Sequence, residues 1–189
     1  ISEVIEDRWL AMGQRVQSFE HEFQSFIGDN IYCKAVSSCT AALHISLLSL
    51  NLGPEDEVII PSLTFVSAVN VVKQVGAKPV IADCKSLEHW NVSIQSIESL
   101  INSKTKAIMV VHYAGVPCSD IQKIKELCDN KNISLIEDVA HAPGASIYGK
   151  HCGAWGDIGC FSFYSNKNLS VGEGGMTTTR NKELDEKIK

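Results

Sequence analysis

Several signatures that would assign a function class are missing from this sequence of 189 residues. No apolar run approaches the roughly 18 residues of a membrane-spanning helix, and no signal-peptide pattern opens the chain. No GxGxxG motif follows the first predicted strand and no GxxxxGK[ST] motif occurs, which disfavours dinucleotide-binding and P-loop proteins. Basic residues do not outnumber acidic ones, because the chain has 17 Lys and Arg and 22 Asp and Glu. The resulting net charge of −5 argues against nucleic acid or a membrane surface as the partner.

The cysteines and histidines lack the spacing of a disulfide framework or a metal site. There are seven cysteines, an odd number, and no CxxC pair. This pattern is typical of reduced thiols in a cytoplasmic protein. None of the six histidines has a second ligand at helical metal spacing, so we expect no metal.

The order of apolar segments predicts an α/β protein. With 44% apolar and 21% charged residues, the chain can bury the core of one domain or a large part of one. Apolar strands alternate with helical spacing, which predicts a three-layer α/β/α fold around a mainly parallel, mixed sheet. Predicted strands are 32–36, 57–60, 78–82, 107–111, 133–136, 158–163 and 176–179. Predicted helices are 16–27, 40–50, 64–75, 94–101, a segment capped by Ser119 and ending near 129, and 181–189.

Functional residues of parallel sheets gather at the carboxyl ends of the strands. That rule selects residues 37–40, 61–65, His112-Tyr113, 138–141 and the loop around Lys167. Ser37-Ser38-Cys39-Thr40 can form either an ordinary helix N-cap or an anion site made of helix-start N–H groups and a hydroxyl. Asp138 ends a predicted buried strand, so its carboxylate needs a cationic or strong hydrogen-bond partner; the structural alternatives are a helix cap, if Val139-Ala140 opens a short turn, and a salt bridge.

Lys167 can be a surface lysine, but its surroundings favour chemistry. Aromatic residues precede it and a glycine-rich turn, Gly172-Glu173-Gly174-Gly175, follows it. Such a turn allows close backbone approach to a ligand. A lysine activated by its surroundings can bond to an aldehyde. Phosphate cradle, carboxylate and lysine are together the three anchors of pyridoxal 5'-phosphate (PLP).

Five ordered segments resemble the DegT/DnrJ/EryC1/StrS family of sugar aminotransferases. They are the segment from AVSSCTAALH through PSLTF to KPVIADC, then TKAIMVVHYAG, IEDVAHAPGA, GDIGCFSFYSNKN and GEGG. The resemblance runs from about Trp9 to Lys189 and implies the aspartate-aminotransferase fold, known as fold type I. Within the family the chain looks most similar to enzymes of the UDP-4-amino-4-deoxy-arabinose branch.

The resemblance implies roles for three residues that contact the cofactor ring. Lys167 in FYSNKN matches the lysine that bonds to PLP and moves a proton between cofactor and substrate. Asp138 in IEDVAHA matches the partner of the pyridine nitrogen. Phe65 in PSLTF matches the aromatic residue stacked on the ring, although by itself it would be read as a core aromatic.

Four further residues are carried over from the same motifs. Cys39 and Thr40 match the phosphate loop, and Ser162 adds a hydroxyl to it. Many family members have glycine at the place of Cys39, and a side chain is tolerable there if only the N–H is used and φ is negative. His141 stands where glutamine is common, near the ring's phenolic oxygen; the alternative is a satisfied histidine at a strand exit.

The resemblance implies transfer of an amino group, with glutamate as the expected donor, to a nucleotide-linked keto sugar for surface polysaccharide. Residues 1–30 are predicted to form an N-terminal helical segment and residues 31–189 a PLP-binding large domain. Family members continue into a small C-terminal domain and act as homodimers, so we expect an incomplete chain whose full-length form is a cytoplasmic homodimer.

Two alternatives stay open. One is a PLP- or pyridoxamine-phosphate-dependent sugar dehydratase; family dehydratases replace the lysine by histidine, so Lys167 favours transamination. The other is a non-catalytic remnant of the family that supplies only a folding or dimerisation surface. Addition of PLP should leave the assembly and stability of a remnant unchanged.

Overall fold

The computed structural model describes residues 1–189, and the chain forms nine strands and seven helices. The strands are Tyr32–Val36 (β1), Glu57–Pro61 (β2), Lys78–Ala82 (β3), Thr105–Val111 (β4), Ser134–Asp138 (β5), Ser146–Ile147 (β6), Lys150–His151 (β7), Ile158–Ser162 (β8) and Gly175–Thr179 (β9). The helices are Ser2–Glu6 (α1), Gln14–Ile27 (α2), Cys39–Ser49 (α3), Ser67–Gln74 (α4), Ile94–Leu100 (α5), Ile121–Lys131 (α6) and Lys182–Ile188 (α7). No helix combines the length and apolar character needed to cross a bilayer.

Seven strands form one sheet in the order β1-β9-β8-β5-β4-β2-β3. Strand β9 runs antiparallel to both β1 and β8, and the neighbouring pairs from β8 to β3 are parallel. Parallel neighbours require crossover connections, which helices supply except between β5 and β8, where the segment that holds β6 and β7 makes the connection. The predicted three-layer fold with a mainly parallel, mixed sheet is therefore confirmed.

Alternation along the central strands divides the core between the two faces of the sheet. Ile136 packs in a cluster with residues of α3, α4 and α7, whereas its neighbour Leu135 packs with residues of α5 and α6. Helix α2 covers the β1-β9-β8 end of this second face, where Phe23 meets Phe161 edge-on at 5.0 Å. Each fully buried large apolar side chain contributes about 1.5–3 kcal/mol.

Most predicted boundaries agree with the structure to within two residues, but the start of α4 does not. The helix begins at Ser67 instead of residue 64 because the Ser62 N–H donates to the Ala82 carbonyl at 2.8 Å. That bond continues the β2–β3 ladder by one residue past Pro61, and residues 62–64 then form bends before the helix starts.

The prediction that Ser119 caps α6 is wrong. Asp120 occupies the N-cap position and makes no side-chain cap bond. The Lys85 ammonium instead lies 3.3 Å from the Ser119 hydroxyl and 3.2 Å from the Asp120 carboxylate. The side chains of Ser119 and Asp120 thus bind Lys85, which comes from a distant loop, and do not cap α6.

The β6–β7 hairpin was not predicted. Tyr148 and Gly149 form its two-residue turn, and both have positive φ, 52° and 73°. Two positive φ values are the signature of a type I′ turn, whose usual sequence is Asn-Gly or Asp-Gly. Because Tyr148 stands at the first position of the turn, the sequence lacks that signal.

Gly175 fixes the start of α3 against the sheet. A Cβ atom at this position would lie 2.5 Å from the Ser38 carbonyl carbon and 2.8 Å from the Cys39 nitrogen. Only glycine lets β9 pass so close to that peptide. The glycine-rich turn therefore positions the first turn of α3.

Candidate active site

A pocket of about 530 Å³ opens at the carboxyl ends of β5 and β8, as the strand-end rule predicts. We call it the edge pocket. Its lining includes all seven residues that the sequence assigned to a site: Cys39, Thr40, Phe65, Asp138, His141, Ser162 and Lys167. It also includes Ser38, Ser67, Val111, Tyr113, Ala140, Tyr164, Asn166 and Glu173.

The first turn of α3 contains both a helix N-cap and free helix-start N–H groups, the two interpretations of the Ser37–Thr40 segment. Ser38 is the N-cap, and its Oγ accepts from the Ala41 N–H at 3.1 Å. The N–H groups of Cys39 and Thr40 follow the cap and have no acceptor within the helix. Ser162, whose hydroxyl accepts only a long 3.4 Å bond from the Tyr164 N–H, lines the same pocket. These donors form a cradle suited to an anion.

Asp138 points to the face of the sheet that carries α3. It is 4% exposed, and its Oδ1 accepts from the Ala140 N–H at 3.0 Å and contacts the Cys39 thiol at 3.7 Å. No protein donor contacts its Oδ2, and no cation pairs with the carboxylate. Burial raises the pKa of Asp138, and the bonds from Ala140 and Cys39 oppose that rise. The turn-capping alternative thus accounts for one oxygen only.

Lys167 lies in a turn in which its backbone N–H donates to the Tyr164 carbonyl at 2.9 Å. The side chain is half-buried and lines the edge pocket. Its ammonium makes no hydrogen bond or ion pair with any other group of the chain. The side chain shares this pocket with Asp138, and the surface-lysine alternative stays open.

His141 and Phe65 lie on the more open walls of the edge pocket. Burial, followed by the charge of Lys167, lowers the pKa of His141 and favours its neutral ring. The ring of Tyr113 stands edge-on to His141 at 6.4 Å. Phe65 is 70% exposed, which excludes the core-aromatic alternative. The sequence rule selected the end of β4 but assigned no role to Tyr113.

Glu137, the residue before Asp138, is the centre of a network that the sequence analysis missed. Its carboxylate accepts from the backbone N–H groups of Gly153 at 2.9 Å, Trp155 at 2.7 Å and Gly156 at 2.6 Å. The His112 Nε2 lies 2.8 Å away, and its Nδ1 accepts from the Cys118 N–H. His112 and Glu137 are both fully buried, on the face opposite Asp138. Alternation along β5 could have revealed this division.

The residues of the edge pocket fit PLP. The cradle at α3 suits its phosphate. The Asp138 Oδ2 accepts no hydrogen bond from the protein, and a protonated ring nitrogen could donate one to it. The Lys167 amine has no partner within the chain. Cys39 has negative φ at the start of the helix, as the sequence analysis required. The individual roles of the seven residues stay predictions.

The fold is that of PLP-dependent aminotransferases. The structure of an aminotransferase from Psychrobacter cryohalolentis matches with a TM-score of 0.92 at 37% identity, covering 99% of this chain and 47% of that one. A structure from Streptococcus pneumoniae, assigned as a sugar aminotransferase in its PLP form, matches with a TM-score of 0.91 at 26% identity. That match covers 99% of this chain and 52% of the other.

The chain belongs to the DegT/DnrJ/EryC1/StrS aminotransferase family, whose model matches residues 1–189. GDP-perosamine synthase of Escherichia coli O157:H7 is 42% identical over 187 residues, covering 97% of this chain and 50% of that protein. The chain spans about half the length of the curated relatives it matches. The family resemblance seen in the sequence is confirmed.

Proposed function

We propose that this chain is the PLP-binding part of a sugar aminotransferase. The whole protein would transfer an amino group from glutamate to a nucleotide-linked keto sugar for surface polysaccharide, including lipopolysaccharide. Residues 31–189 would form the cofactor domain and residues 1–30 a helical segment, within a cytoplasmic homodimer. The observation that carries the proposal is the meeting of an unengaged lysine, a buried carboxylate with one unpaired oxygen and an open helix start in one pocket.

Each group at the edge pocket has a task that follows from its chemistry. When bound, PLP supplies a ring that withdraws electrons from the carbon that loses its proton. The Lys167 Nζ would hold the cofactor and then move a proton as a general base and acid. The Asp138 Oδ2 would hold a proton on the ring nitrogen. The N–H groups of Cys39 and Thr40 and the Ser162 hydroxyl would bind the phosphate, and Phe65 would cover one ring face.

The proposed function is tested with glutamate and a keto sugar supplied separately. This sequence, produced within a chain of its relatives' length and loaded with PLP, should release 2-oxoglutarate when glutamate is added. A nucleotide-linked keto sugar should then be converted to the amino sugar, as followed by mass spectrometry. Loss of a hydroxyl from the sugar without gain of nitrogen would instead indicate the dehydratase. PLP binding without either reaction would contradict the proposed activity.

Asp138→Asn should separate cofactor binding from turnover. Lys167 and the phosphate cradle are unchanged, so PLP should still bind. A neutral amide cannot hold a proton on the ring nitrogen as a carboxylate does, so the rate of amino transfer should fall by about 10²-fold or more. Bound PLP is counted by absorbance and turnover by 2-oxoglutarate release. Normal turnover in the variant would remove Asp138 from the mechanism.

A further inference from the structure

The thiol of Cys39 lies between the first turn of α3 and the ends of β5 and β8. Its Sγ is 3.7 Å from the Asp138 Oδ1 and 3.6 Å from the Cys160 carbonyl oxygen. Cys39 is 8% exposed, and its side chain lines the edge pocket beside the carboxylate. The family assignment accounts for its backbone N–H but gives the thiol no task.

The thiol proton has one better acceptor. The Cys160 carbonyl already accepts from the Val139 N–H at 2.8 Å. The Asp138 carboxylate carries charge, and hydrogen bonds to ionised acceptors are the stronger ones. Burial and the neighbouring Asp138 raise the pKa of Cys39 well above its usual range, so the thiol keeps its proton and stays a donor.

Neighbouring backbone fixes the position of this donor. Gly175 packs against the Ser38–Cys39 peptide so closely that no Cβ would fit. Strand β8 places Cys160 directly beside Asp138 in the parallel register. The backbone that carries the thiol therefore cannot move away from the carboxylate without moving α3.

We propose that Cys39 is a positioning residue for Asp138, whose thiol donates to Oδ1 and so reserves Oδ2 for a ligand in the edge pocket. The Ala140 N–H and the thiol together occupy Oδ1 and set the rotation of the carboxylate. Oδ2 accepts from no protein group and keeps access to solvent. The inference deepens the proposed function, because the ligand that Oδ2 would meet is the ring nitrogen of PLP.

Carbon-13 NMR titration of the Asp138 side-chain carboxyl, in the 189-residue chain without PLP, tests this role. Cys39→Ala removes one donor to the ionised form, so the pKa of Asp138 should rise by about 0.5–1. Cys39→Ser restores a donor and should return the pKa to the wild-type value or below it. The other titratable groups near Asp138 are His141 and Cys160 on its own side, His112 on the opposite face of the sheet, and Tyr113, Lys167 and Glu173 in the edge pocket, and none is altered.

Cys128→Ala is the matched control. It also removes a buried thiol, but from α6 on the opposite face of the sheet, and should leave the Asp138 titration unchanged. If Cys39→Ala does not fold, Cys39→Ser alone tests the proposal. A pKa of Asp138 above the wild-type value in Cys39→Ser would overturn it. An unchanged pKa in Cys39→Ala would overturn it as well. Since no cofactor is present in the titration, failure here is distinct from failure of PLP to bind.

Discussion

Lys167→Ala is expected to lower the rate of amino transfer by about 10²–10⁴-fold through lost proton transfer alone, and further because the attachment point of the cofactor disappears. The side chain is the one unengaged amine in the edge pocket. The measurement follows bleaching of the bound-PLP absorbance by glutamate, in a chain of the relatives' length. Binding through the α3 cradle should persist in the variant, at lower affinity.

Two further variants sharpen that experiment. Lys167→Arg keeps the positive charge but cannot replace the amine, so it should be as inactive as alanine. Lys150→Ala removes another half-buried lysine, which lies over the Trp155 ring and outside the edge pocket, and should retain activity. A loss of less than about tenfold in Lys167→Ala would contradict the assigned role.

Glu137→Ala should produce the largest loss of stability in the chain. The substitution leaves three backbone N–H groups and the fully buried His112 ring without their shared acceptor. Breaking a buried, hydrogen-bonded pair costs about 3–5 kcal/mol. Urea unfolding followed by circular dichroism measures this change in the free energy of unfolding.

The controls for Glu137 separate shape from charge. Glu137→Gln keeps the volume but directs an amide NH₂ toward N–H donors, so it should lie between wild type and alanine. Glu98→Ala, on the exposed side of α5, should change stability by less than about 0.5 kcal/mol. A change of that small size in Glu137→Ala would mean that the network does not hold the segment around Gly153–Gly156.

The sheet and the place of the site were predictable because both follow from local patterns. Apolar runs gave the strands, and the strand-end rule selected segments that meet at the edge pocket. The rule did not say which side of the sheet each residue faces. Glu137 and Asp138 are adjacent in sequence, yet one anchors the loop near Gly153 and the other lines the pocket.

Contacts between distant segments could not be predicted. Lys85 takes Ser119 and Asp120 away from capping α6, across 34 and 35 positions in sequence. Gly175 was interpreted as allowing approach to a ligand, whereas its close contact is with the Ser38–Cys39 peptide. The Cys39–Asp138 contact joins residues 99 positions apart. Such contacts depend on the assembled sheet and leave no local pattern.

The central claim is that Lys167 anchors the cofactor, and borohydride reduction of the chain mixed with PLP tests it most directly. Reduction makes the bond between lysine and cofactor permanent, and peptide mass mapping then locates it. Lys150 is the informative competitor, because burial lowers the pKa of its ammonium and so favours the neutral amine, the form that attacks an aldehyde. We predict a single label on Lys167 that is absent from Lys167→Ala and retained in Lys150→Ala. Label on Lys150, or spread over surface lysines while Lys167 stays unmodified, would contradict the account.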